Sequence, residues 1–291
     1  MDVLAPAFEP GTAVPAYRLL RPARAQSPLV LASPHSGRTY PPAFLAAARL
    51  DAHSIRRSED SFVDLLFDFA PDLGVPLLAA EFPRAYCDAN REPWELDPAM
   101  FDAPLPAWVN SQSPRVGAGL GTIARVVASG EPIYRRKLPF AEAEARIRNC
   151  WQPYHAALAA LIQETRAEFG CCLVIDCHSM PSLGAEPGSP PDMVLGDAHG
   201  TAAAPRAVRL IEEALIDLGY RVQRNDPYAG GYVTRHYGRP REGVHVIQLE
   251  IARALYMDEE RILPHDGMDR LRADMMRLIA RLQRQDWSFL R

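Results

Sequence analysis

The 291-residue chain has no apolar run approaching the roughly 18 residues that a membrane-spanning helix needs. It has no long Lys/Arg run either. With 32 basic against 36 acidic side chains the formal charge is −4, which argues against holding nucleic acid or anionic lipid by phosphate neutralisation. No GxxxxGK[ST] phosphate loop occurs, and the one Gly-Gly pair, Gly230-Gly231, is too short for a dinucleotide fingerprint, so nucleotide cofactors are not expected. There is no GxSxG elbow. Ser36 and Ser179 adjoin histidines, but neighbouring residues at a strand end diverge, which disfavours a serine-hydrolase reading. Cysteines number five, and Cys171, Cys172 and Cys177 crowd one apolar run. Adjacent strand residues face opposite ways, so buried reduced thiols fit better than a disulfide framework or a cysteine metal site. The opening MDVLAPAFEPG is acidic and Pro-rich where a secretory leader is basic and then apolar, and the expectation is a cytoplasmic protein.

Proline, by contrast, is abundant: 27 residues, nearly twice the usual share of roughly 5%. Its dispersal predicts many ordered irregular loops and no single linker. Residues 1–26 show no period and read as a lead-in. Short apolar runs predict strands over 27–34, 75–82, 171–176, 192–197, 220–223 and 244–251. Helical spacing predicts helices over 42–50, 60–70 behind Ser58 as cap, one or two over 139–169 with Pro153 as a break or kink, 204–218 and 268–285. Residues 97–132, rich in Pro, Gly and Ser, read as a long surface excursion. Strands alternating with helices imply one α/β domain over 1–291, with a mixed, mainly parallel central sheet flanked by helices on both faces.

In such sheets ligands sit at the carboxyl ends of strands, which directs attention to SPHSGR, FPRAYCDANRE, IDCHSMPS and QLE. His35 and His178 each end a buried run, where an imidazole can coordinate zinc. A third ligand is needed, and Glu59 and Asp60 are the best-placed carboxylates. Period-two alternation in VHVIQLEI puts Gln248 and Glu250 on one face. A carboxylate there must be paired, metal-bound or catalytic; a general base acting on water and an ion pair with Arg both meet that demand. Arg84, Asn90 and Arg91 lie within eight positions, beside Tyr86 and Asp88, and suit an acidic substrate. The segment Asn225–Gly238 reads as a Gly- and Tyr-rich loop over a pocket.

At these motifs the sequence resembles the N-formylglutamate amidohydrolase family, itself similar to zinc-dependent carboxypeptidases and aspartoacylases. The matching pieces are SPHSGRTYP, RRSEDSFVDLLF, FPRAYCDANREPWELDPAMF, VIDCHSMPS, DMVLGDAHG, NDPYAGGYVTRHYG and VHVIQLEIARALYMD, in order from residue 33 to 258. The resemblance implies a carboxypeptidase-like fold and hydrolysis of the amide of a small acidic N-acyl amino acid, N-formyl-L-glutamate above all, as part of histidine breakdown. It implies one zinc ion per chain held by His35 and His178, Glu250 as general base, Arg84 polarising the carbonyl, and Asn90 and Arg91 gripping the carboxylate. The carboxypeptidase pattern has a ligand Glu three positions after the first His, but Arg38 stands there. The carboxylate then comes from Glu59 or Asp60, with Asp60 favoured as the residue opening its helix. Two other readings share these residues: the same zinc apparatus acting on another N-acyl amino acid or a peptide C-terminus, and a non-catalytic carboxylate-binding protein.

Overall fold

The computed structural model describes residues 15–182 and 191–291. The chain divides into two compact units. Among the described residues, one comprises 15–18, 35–59 and 80–156; the other comprises 19–34, 60–79, 157–182 and 191–291.

The second unit is built on the sheet. Its strands are β1 (Tyr17–Leu20), β2 (Leu29–Ser33), β3 (Leu77–Ala80), β4 (Cys172–Met180), β5 (Met193–Gly196), β6 (Val222–Arg224) and β7 (Val244–Ala252), arranged β1-β3-β2-β4-β7-β5-β6. β3, β2, β4 and β7 run parallel, whereas β5 is antiparallel to β7 and parallel to β6. This is the mixed, mainly parallel α/β sheet expected. The helices, numbered in chain order, fall to the two units: α1 (Pro42–Ala47), α3 (Pro114–Gly117) and α4 (Phe140–Arg146) to the first, and α2 (Val63–Leu66), most of α5 (Gln152–Phe169), α6 (Pro205–Asp217), α7 (Tyr232–Tyr237) and α8 (Gly267–Gln283) to the second, where they flank the sheet.

β2, β4 and β7 are buried along their whole length, which is why they read as continuous apolar runs. Leu31, Ile175, Cys177, Ile247 and Leu249 project to one side, into a core with Leu66, Ile211, Leu215, Met275 and Leu278. The alternate residues, Val174, Asp176 and His178 on β4 and Val246, Gln248 and Glu250 on β7, face the other way, pair in register, and turn from apolar to polar towards the carboxyl ends. The chain leaves β2 for β3 on one side and β4 for β5 on the other, making the β2/β4 boundary a topological switch point.

The first unit has its own apolar cluster, Tyr40, Phe44, Ile55, Ala85, Val127 and Ile133. Arg146, almost fully buried, donates to the Tyr134 hydroxyl and the Tyr86 carbonyl, and its guanidinium lies 4.2 Å from the Tyr86 ring centroid. Gly37 is needed here because a Cβ would stand 2.1 Å from the Phe82 carbonyl oxygen, so only glycine lets SPHSGR pass FPRAY.

Several expectations are corrected. The helix over 60–70 shrinks to the single turn of α2 because Phe62 takes a left-handed conformation, φ 67°. Ser58 does not cap it; its hydroxyl accepts from the Ala128 N–H. Asp60 therefore does not open a helix. Residues 97–132 are largely irregular and on the surface up to Ala118, as expected, but the stretch from Gly121 to Val127 is mostly buried, so the excursion is only partial. β4 continues through His178 because its register with β7 persists to Met180↔Ala252. Pro153 does not break the helical stretch: a π-turn at Ile147–Trp151 joins α4 to α5, and Pro153 occupies the second position of α5. β1 within the lead-in and α7 within the Gly- and Tyr-rich loop had no legible period. Residues 1–14 of the lead-in lie outside the described residues. All five cysteines are free and buried.

Candidate active site

In the first unit the predicted residues His35, Arg84, Asn90 and Arg91 gather around Asp88. The His35 Nε2 lies 2.7 Å from Asp88 Oδ1, which also accepts the Asn90 N–H at 2.8 Å. Arg84 Nε donates to Asp88 Oδ2 at 3.0 Å, with Arg91 Nε 3.9 Å from the same oxygen. Burial opposes the Asp88 charge, but His35, Arg84 and Arg91 outweigh it and hold the carboxyl well below the usual range. Arg91 is fixed by two carbonyls, donating to Leu120 O and Asn90 O at 2.9 Å each, while the Trp151 indole donates to Arg91 O. Glu59 is committed elsewhere: Arg56 donates to both its oxygens and Tyr40 donates to Oε1 at 2.7 Å.

In the second unit His178 sits between two carboxylates. Its Nδ1 lies 3.0 Å from Asp60 Oδ2 and its Nε2 3.0 Å from Asp176 Oδ2. Asp60 is held from its other oxygen by Arg253, whose Nη2 lies 3.2 Å from Oδ1 while its Nε donates to Ser179 Oγ. Glu250 is the register partner of His178 on β7. Burial works to lower the His178 pKa, yet Asp176, Asp60 and Glu250 together raise it well above the ordinary histidine value. Gln248 donates to Glu250 Oε1 at 2.7 Å.

The chemistry of these donors suits a divalent metal. A catalytic imidazole ligand gives one nitrogen to the ion and the other to a carboxylate or carbonyl. His35 holds Nε2 against buried Asp88, and His178 holds Nε2 against buried Asp176. Asp176 was not legible as a partner, because it shares the face of His178 only where β4 runs on past residue 176. Arg253 was not legible either, because nothing local pairs it with Asp60, 193 positions away.

Residues 27–257 match the family model for N-formylglutamate amidohydrolase. Over 242 residues the chain is 34% identical to the N-formylglutamate deformylase of Pseudomonas aeruginosa, covering 81% of this chain and 85% of that protein. It is 32% identical over 237 residues to the enzyme of the same name from Pseudomonas putida, covering 80% and 82%. The crystal structure of N-formylglutamate amidohydrolase from Ralstonia eutropha JMP134 superposes with a TM-score of 0.86 at 37% identity, covering 93% of this chain and 98% of that one.

Proposed function

Because this chain belongs to the N-formylglutamate amidohydrolase family, a family of amide hydrolases, we propose that it cleaves N-formyl-L-glutamate to formate and L-glutamate with the help of one divalent ion, zinc by its donor set. The observations that carry the metal reading lie within each unit: in the second, buried His178 holds Nδ1 3.0 Å from buried Asp60 Oδ2, and in the first, buried His35 holds Nε2 against Asp88. Two imidazoles and one carboxylate make a three-ligand set of the kind that leaves a catalytic zinc position open. Asp60 is preferred to Glu59, whose oxygens Arg56 and Tyr40 already occupy.

When bound, such an ion supplies Lewis acidity and lets water ionise near neutral pH. Glu250 takes the proton of the attacking water and passes it to the amide nitrogen as the C–N bond breaks, so that glutamate departs as an amine. Arg84 donates to the carbonyl oxygen as negative charge grows there. Asn90 and Arg91 receive the α-carboxylate, for which an immobilised guanidinium is well suited because little rotamer freedom remains to be lost. The resemblance assigns the reaction to histidine breakdown in the cytoplasm. Among the described residues no helix is long and apolar enough to cross a membrane.

The test is formate release from N-formylglutamate by protein as purified, after chelation, and after zinc is restored. Loss on chelation with recovery on zinc is expected. A zinc-loaded protein that releases no formate overturns the substrate assignment. N-acetylglutamate and a dipeptide run alongside show whether the formyl group is selected.

A further inference from the structure

Gln248 is a buried polar side chain at this end of the sheet that the mechanism above does not use. It is only 4% exposed, and an amide in that position is costly unless both ends are satisfied. Its Oε1 accepts the Gly231 backbone N–H at 2.8 Å, and its Nε2 donates to Glu250 Oε1 at 2.7 Å. Neither end can be exchanged for the other, since a backbone N–H only donates and an ionised carboxylate only accepts. The two partners belong to different elements. Glu250 is two residues further along β7, whereas Gly231 caps α7 within the 225–238 segment.

That segment is seated on the sheet at the same level. Gly196 of β5 is the register partner of Gln248, and a Cβ on Gly196 would meet the Ala229 carbonyl carbon at 2.7 Å and the Gly230 nitrogen at 2.8 Å. The backbone of 229–230 therefore lies directly on β5, and Gln248 pins the next residue. Tyr228 packs on Met180, Val194 and Ala252, and Val194 is the β5 register partner of Glu250.

We infer that Gln248 is a positioning residue that ties the seating of the 225–238 segment to the orientation of the Glu250 carboxylate, so that base and segment are set as a unit. The inference rests on the reading of Glu250 as general base.

Two substitutions separate the ends of the amide. Gln248→Glu keeps the length and the acceptor for Gly231 but, ionised on the alkaline side of neutrality, has no N–H for Glu250. Gln248→Met, similar in shape and apolar, loses both bonds and is the variant that keeps its fold if the extra buried carboxylate is not accommodated. The readouts are kcat and KM for formate release, zinc content, and hydrogen exchange of peptides covering 226–237. Both variants are expected to retain zinc and to lose about 10- to 100-fold in kcat, a fraction of what a general base contributes. Faster exchange over 226–237 is expected in Gln248→Met alone. Turnover of Gln248→Glu within twofold of the unsubstituted protein, or unchanged exchange in Gln248→Met, overturns the inference. If the unsubstituted protein releases no formate, the substrate reading falls instead, and the exchange comparison still decides whether Gln248 holds the segment.

Discussion

Asp88→Asn removes one charge and almost no volume from the centre of the first unit's polar cluster. Asp88 is 3% exposed and faces His35 at 2.7 Å, Arg84 at 3.0 Å and Arg91 at 3.9 Å. Asparagine can still accept the Asn90 N–H through its Oδ1, but its amide end meets guanidinium donors with a donor. Breaking a buried ion pair costs about 3–5 kcal/mol. Arg84 is a quarter exposed and recovers part of its hydration, and Arg91 keeps its two carbonyl partners, so a cost around and just below the low end of that range, about 2–4 kcal/mol, is expected. For a chain of this size that corresponds to a Tm lower by roughly 5–10 °C. Function separates this from a merely weakened fold. If Asp88 holds the His35 ring so that Nδ1 meets the metal, zinc affinity falls by about 10- to 100-fold, the usual cost of losing such a partner. Thermal melts of the metal-free protein and chelator competition for zinc measure the two effects separately. Destabilisation with unchanged zinc affinity would show that the Asp88–His35 pair is structural and refute the ligand reading of His35.

Glu250→Gln is expected to lower turnover by about 100-fold or more while zinc content stays at one ion per chain; unchanged turnover removes the general-base role. Because Asp176, Asp60 and Glu250 raise the His178 pKa, the metal-free ring carries a proton that a bound ion must displace. Zinc affinity should therefore rise with pH through neutrality, with about one proton released per ion, measurable by calorimetry in buffers of different ionisation enthalpy. In the metal-free protein the raised His178 pKa contributes stability that is complete below about pH 6.5 and lost as pH rises through the folded value. The depressed Asp88 pKa contributes stability present above about pH 4 and lost as pH falls through its folded value. Urea midpoints across pH should decline on both sides of that window. Gly37→Ala, which forces a methyl to 2.1 Å from the Phe82 carbonyl, should cost about 1–3 kcal/mol or more in the same denaturation assay; a neutral result would mean the segment moves aside freely.

Strand signals in this chain were strong because β2, β4 and β7 are buried on both faces and read as uninterrupted apolar runs. The polar residues interrupting those runs, His178 and Glu250, were visible for the same reason: a charge in an apolar strand demands an explanation. Period two also placed Gln248 on the face of Glu250, whereas Asp176 and His178 share a face only because β4 runs on past residue 176. Local pattern thus named the chemistry. Tertiary structure decided its partners. Helical spacing in Phe62, Leu65, Leu66 and Phe69 suggested a long helix, but only Leu65 and Leu66 lie in the single turn of α2, with Phe62 left-handed ahead of it and Phe69 beyond it, and all four reach one core. Whether Glu59 or Asp60 turns toward His178 depended on Tyr40 and Arg56 engaging the first and Arg253 the second. Those contacts join residues between 3 and 193 positions apart. Hydrophobic periodicity records which way a side chain faces within its own element, and carries no information about which distant charge folding will set against it.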